Sequence, residues 1–242
     1  MNHASQHEPD DITRSGWALV AHKVVELIAH PLMLAMAFAL WLALDRDGGA
    51  VLIALISAIV LMEMLERIVP AQPRWHQTTT EKLRLVGLYF LLLVVSALVI
   101  AVYDLVLMPT LHHLFDGLSI WPQDWSILVQ VLMLYFLADF IYYWIHRGIH
   151  NSGLLWRISG HGMHHAFHNL HALNAGATHP LEVLFLALPM VILAAIFGAP
   201  VDAIAGAQVL LVTNAVMAHA NVSMNTPLFN WFFTNSNQHR RH

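Results

Sequence analysis

The chain has 242 residues, of which 58% are hydrophobic and only 11% charged, and its formal net charge is −4. An average soluble domain is roughly 45–50% apolar and 25% charged, so most of this chain is matched to lipid rather than water. So few charges, net negative, leave no basic field for nucleic acid, and the absence of cysteine removes disulfides, thiolate metal sites and a cysteine nucleophile.

Residues 1–16 read as a polar tail carrying Glu8, Asp10 and Asp11, without the basic start, short apolar core and small-residue cleavage site of a signal peptide. Residues 17–242 are expected to form one membrane-embedded domain, because no polar linker interrupts the apolar excess. A bilayer core about 30 Å thick takes roughly 20 helical residues. Six windows come near that length: 24–44, 50–69, 85–107, 127–145, 181–197 and 201–218. The first holds Glu26 and the pair His30, Pro31, and the second ends in Glu63, Glu66 and Arg67, whose acids read as solvated helix-end charges. The last two are short and parted only by Gly198, Ala199 and Pro200, which predicts a hairpin reaching less far into the bilayer. The expected fold is all-α, an integral membrane protein with about four transmembrane helices and a shallower helical hairpin.

Lys and Arg set the orientation, since they stay on the cytoplasmic side. Threading from Arg67, Arg74, Lys82 and Arg84 puts ten of the eleven basic residues on one side and leaves only Arg46 opposite. The same threading carries every dense histidine group to the cytoplasmic face, as a histidine-rich metal-binding cap.

Eighteen histidines are the anomaly of this composition. Four groups stand out: His146 and His150 in "HRGIH", His161, His164 and His165 in "HGMHH", His219 in "HAN", and His239 and His242 in the terminal "HRRH". Helix positions four apart share a face, so each close pair is able to reach one ion. Eight imidazoles exceed the three or four that one tetrahedral site uses, which points to two metals. Imidazole suits zinc, copper, nickel and iron alike, so ligand type alone leaves the metal open. Asp139, Tyr143, His146 and His150 follow a 4-3-4 rhythm and read as one inward stripe, with Asp139 accepting a hydrogen bond from the far nitrogen of a ligating histidine. His168, His171 and His179 are candidates for such supporting contacts. His3, His7, His22, His30, His76, His112 and His113 read as interfacial or singly hydrogen-bonded residues outside the site.

These residues resemble the fatty acid hydroxylase and sterol desaturase superfamily, membrane enzymes with histidine boxes of the H-x3/4-H and H-x2-H-H types. The likeness runs from "LERIVP" at residues 65–70 through "DFIYYWIHRGIH", "LWRISGHGMHH", "LNAGATHPLE" and "HANV" to the end. It implies two iron ions on the eight boxed histidines, with zinc able to take their place in a purified form. It further implies O2 as co-substrate, a lipid substrate that is hydroxylated or desaturated, and electrons from a separate donor, cytochrome b5-like or ferredoxin with its reductase. Two positions depart from the pattern. Ser223 stands where some relatives carry a further histidine, and the last box stops at His242, so the chain reads as truncated. A membrane zinc hydrolase would pair its histidines with a carboxylate base as in H-E-x-x-H, which is lacking here. A metal transporter would set its ligands at mid-bilayer rather than after the spans.

Overall fold

The structure is a computed structural model describing residues 16–115, 120–167 and 169–241. It is helical, with no strand among those residues beyond one isolated bridge between Pro70 and Val222. Helix α1 spans Gly16–Ala43, α2 Ala50–Ile68 and α3 Thr79–Val102. A π turn at Tyr103–Leu107 runs α3 into α4, Met108–Phe115. There follow α5, Ile127–Asn151; α6, Gly153–Ser159; α7, Glu182–Phe197; α8, Val201–His219; and a last turn, α9, Ser236–His239. Short 3-10 turns at His161–Ala166, Ala172–Gly176 and Phe229–Trp231 join them. Thr78 starts α3 with a capping box, its hydroxyl accepting from the Glu81 amide while the Glu81 carboxylate accepts from the Thr78 amide.

Among the described residues, four stretches are long and apolar enough to cross a membrane: Gly16–Ala43, Thr79–Phe115, Ile127–Asn151 and Val201–His219. The number agrees with the sequence expectation, but the membership differs. Helix α2 falls out because Glu63, Glu66 and Arg67 crowd its last turns, and α8 comes in. The α7–α8 hairpin also reaches deeper than expected. Asp202 at the start of α8 lies 3.6 Å from Arg46, in the turn between α1 and α2, so the hairpin tip stands at the same end of the bundle as that turn. The reason lies in what surrounds α8. Its most apolar window is 61% buried, whereas that of α3 and α4 is 17% buried. Helix α8 is therefore the protein-facing axle of the bundle, packed by α1, α2 and α5, and needs small residues more than hydropathy. Gly206 shows the closeness: a Cβ there would fall 2.6 Å from Val131 and 2.8 Å from Trp41.

Around that axle, Trp41, Met62, Leu134, Tyr135 and Met217 are fully buried. On the outside, Leu105, Phe90 and Ile68 are at least 70% exposed, as suits an acyl-chain surroundings. One excluded histidine belongs to the interior rather than the interface. His30 is fully buried on α1, its Nε2 2.7 Å from Asn214 Oδ1 on α8, with the rings of Phe229 and Phe233 at 5.4 and 5.9 Å. A polar pair between helices satisfies groups that lipid would leave bare.

Candidate metal centre

The histidines meet where α5, α8 and α9 end. Helix α5 brings His146 and His150 on adjacent turns, ring centroids 4.7 Å apart. Ser152 ends α5 and caps α6 by accepting from the Leu155 amide. Gly160 then turns the chain with φ of 68°, and a Cβ there would lie 2.3 Å from the His179 ring, so only glycine fits. The "HGMHH" box follows as a 3-10 turn rather than an α-helical one, and i and i+3 eclipse in that geometry. Accordingly the His161 and His164 rings stack, 5.4 Å apart at 18°.

Among the described residues two groups of three form: His146, His150 and His161, and His164, His219 and His239, with ligand atoms in each group within 4.8 Å of one another. His165 Nε2 stands 3.1 Å from His161 Nε2, which is also 3.1 Å from His150 Nε2. In the second group His219 Nε2 lies 3.1 Å from His239 Nε2 and 3.4 Å from His164 Nε2. Nitrogens bound at about 2.0–2.1 Å to one ion stand about 3 Å apart, so the donor set fits a small borderline cation. The tautomers agree. His161 Nδ1 donates to Glu182 Oε1 at 2.7 Å and His219 Nδ1 to the Ala215 carbonyl at 2.7 Å, so each turns its Nε2 lone pair inward. Burial, with the neighbouring imidazoles of His239 and His161, pushes His164 down to about 3, which keeps it neutral and free to ligate.

Seven of the eight predicted ligands are thus brought together, and His242 lies outside the described residues, as does His168. Asp139 is not among them. It makes no hydrogen bond to an imidazole among the described residues, and the inner face of α5 runs through Tyr135, Ala138 and Tyr142 instead. Tyr142 Oη stands 3.3 Å from His146 Nδ1, while Tyr143 is half exposed and accepts from Arg147. Only the His146 and His150 end of the predicted stripe meets the other histidines, while Asp139 and Tyr143 lie at the exposed edge of the face that Tyr135, Ala138 and Tyr142 line.

The carboxylate that does support the site is Glu182, in "THPLE", 2% exposed at the start of α7. The signal available was an acid alone at the head of an apolar window. Glu66 is the second missed acid and corrects the reading of a solvated charge. It is buried, and Oε1 accepts from the amides of Ala172 and Asn221, both at 2.8 Å, while Oε2 pairs with His171 Nδ1 at 3.1 Å. His171 therefore belongs to this staple and not to either group. Asn221 carries the staple onward, its side chain pairing with the Gln72 amide and carbonyl at 2.9 and 3.0 Å. The turn after His219 is thereby tied to the end of α2. Glu63, half-buried, pairs with Lys82. His179 accepts from the Leu181 amide at 3.2 Å and packs on Gly160.

Residues 131–242 match the family model for fatty acid hydroxylase. The ornithine lipid hydroxylase OlsE of Rhizobium tropici is 26% identical over 196 residues, covering 77% of this chain and 57% of that protein. The very-long-chain aldehyde decarbonylase GL1-11 of Oryza sativa subsp. indica is 33% identical over 109 residues, 44% of this chain and 40% of that protein. Methylsterol monooxygenase 2-2 of Arabidopsis thaliana is 30% identical over 98 residues, 40% and 36% respectively. The chain spans less than two thirds of the length of these relatives. No solved structure matches it. The family match takes in every histidine of both groups, from α5 onward, so it is this part of the chain that is similar to fatty acid hydroxylase.

Proposed function

We propose that this protein is an O2-dependent di-iron oxidoreductase that hydroxylates or desaturates a lipid C–H bond, drawing its electrons from a separate donor. The observation that carries the reading is the pair of adjoining three-imidazole groups at the ends of helices long enough to cross a membrane. His146, His150 and His161, with His165 beside them, would hold one ion, and His164, His219 and His239 the other, with His242 as a further ligand. Iron held there supplies O2 reduction and removal of hydrogen from an unactivated carbon, chemistry that amino-acid side chains lack.

The chain's own part is positional. Glu182 holds His161, and the Ala215 carbonyl holds His219, so that the inward nitrogens carry lone pairs before any ion arrives. Glu66 and Asn221 hold the backbone just past His219. Apolar flanks of α1, α3 and α5 keep the substrate's surroundings dry. Iron analysis of the purified protein, together with O2 uptake on fractionated lipid extracts, tests the reading. Bound iron and lipid-dependent uptake are expected; bound zinc with ester or amide cleavage and no O2 uptake would replace it by a hydrolase.

The reading also sets the histidines on the cytoplasmic side. Single cysteines introduced as His76→Cys and Asp47→Cys label against no background, because the chain has none. Residue 76 is expected to react from the cytoplasmic side and residue 47 only from the other; the reverse would overturn the orientation.

A further inference from the structure

Asp139 stands at the middle of α5 on a flank that is otherwise apolar, beside Leu137 and Phe140, which are 39% and 62% exposed. It has no hydrogen bond or ion pair among the described residues. A carboxylate on such a flank is costly unless something pairs with it. It opens on a cavity of about 250 Å³ walled by Asn230, Trp231, Phe232, Phe233, Thr234 and Gln238, none of them basic. The amides there are committed to one another. Asn230 Nδ2 donates to Asn225 Oδ1 at 2.6 Å, Asn235 Nδ2 donates to Asn230 Oδ1 at 2.8 Å, and Gln238 Nε2 donates to the Asn230 carbonyl at 3.0 Å. Asp139 is left as the strong acceptor facing the cavity.

The cavity is open to the outside of the bundle, where Trp231 and Phe232 are 85% and 64% exposed. Both walls lead to the histidines. Asp139 is about 10 Å, two helical turns, before His146, and Gln238 directly precedes His239.

We propose that this cavity holds the polar end of the lipid substrate and selects a lipid carrying a cationic amine, whose ammonium pairs with Asp139. The inference rests on the lipid-oxidising reading above. Charge decides the class of head group. A lone carboxylate in poorly solvating surroundings repels phosphate and carboxylate head groups, attracts an ammonium strongly, and gains less from a neutral hydroxyl or amide.

The test uses the full chain, iron-loaded, in phosphatidylcholine nanodiscs, and measures equilibrium binding of radiolabelled sphingosine and N-acetylsphingosine, which differ in the charge of the amine. Wild type is expected to bind the amine about tenfold more tightly. Asp139→Asn should bring the two affinities within about twofold of each other while keeping the wild-type iron content. Asp202→Asn, at the far end of the bundle, should keep the preference. A preference retained by Asp139→Asn, or iron lost from it, would overturn the assignment, the latter by moving Asp139 to the metal centre. Equal binding of both lipids by wild type overturns the amine pocket alone. Binding of neither, without lipid-dependent O2 uptake, overturns the pocket together with the lipid-oxidising reading.

Discussion

Two buried carboxylate–imidazole pairs stand among the described residues, and they differ in where the second ring nitrogen looks. In the Glu182–His161 pair, Nδ1 is held at 2.7 Å and Nε2 faces two other imidazoles at 3.1 Å. In the Glu66–His171 pair, Nδ1 is held at 3.1 Å, Nε2 is buried without a hydrogen-bond partner among the described residues, and the carboxylate also takes two backbone amides. The same chemistry thus turns a ring nitrogen toward other imidazoles in one place and fastens backbone in the other. A carboxylate beside a histidine is therefore no sign of a metal by itself; what sets the first pair apart is that its other ring nitrogen converges with those of further imidazoles.

Substitutions in the first pair should act on metal, and those in the second on stability. The largest effect is expected of His161→Ala, which removes a nitrogen shared between His150 and His165: the protein should still insert, but turnover should vanish and its group should lose its ion. Elemental analysis and O2 uptake on the same preparation check this, and full turnover would take the box out of the site. Next comes Glu182→Gln, which keeps the shape but weakens the hold on the His161 tautomer; metal affinity should fall about 10–100-fold, the usual scale for such a partner, as read by competition with a chelator.

Glu66→Gln should show the opposite profile. A neutral amide cannot accept as strongly from two backbone amides and an imidazole, so the Tm should fall by about 3–10 °C, while ions in the His146, His150 and His161 group stay bound as in wild type. Smallest is His171→Ala, which leaves Glu66 its two amide donors: a Tm lower by about 2–4 °C, with unchanged metal content, is expected in the same thermal scan. Metal loss in His171→Ala that matched the loss in Glu182→Gln would erase the distinction between the pairs.

The parts of this molecule legible in the sequence are those carried by local spacing. Apolar windows of membrane length place the helices, and the separations between His146 and His150 and within "HGMHH" announce the groups. What escaped depends on contacts between distant positions. Glu66 meets residues 105, 106 and 155 positions away, and nothing near it in the chain marks it as buried. Asp139 failed differently. Its 4-3-4 rhythm with His146 and His150 is real, but a neighbouring stripe through Ala138 and Tyr142 fits helical spacing as well, and packing against α8 chose that one. The depth of the α7–α8 hairpin was hidden because small residues buy close packing without raising hydropathy, as Gly206 does beneath Trp41.

The central claim is that the converging histidines hold two ions in two separate groups. It is tested most directly by counting iron per folded chain, after anaerobic loading and desalting, in wild type, in His161→Ala, in His219→Ala and in the double variant. The account predicts close to two ions in wild type, about one in each single variant and close to none in the double. Equal iron in all four proteins, or a wild type that binds none, would contradict it.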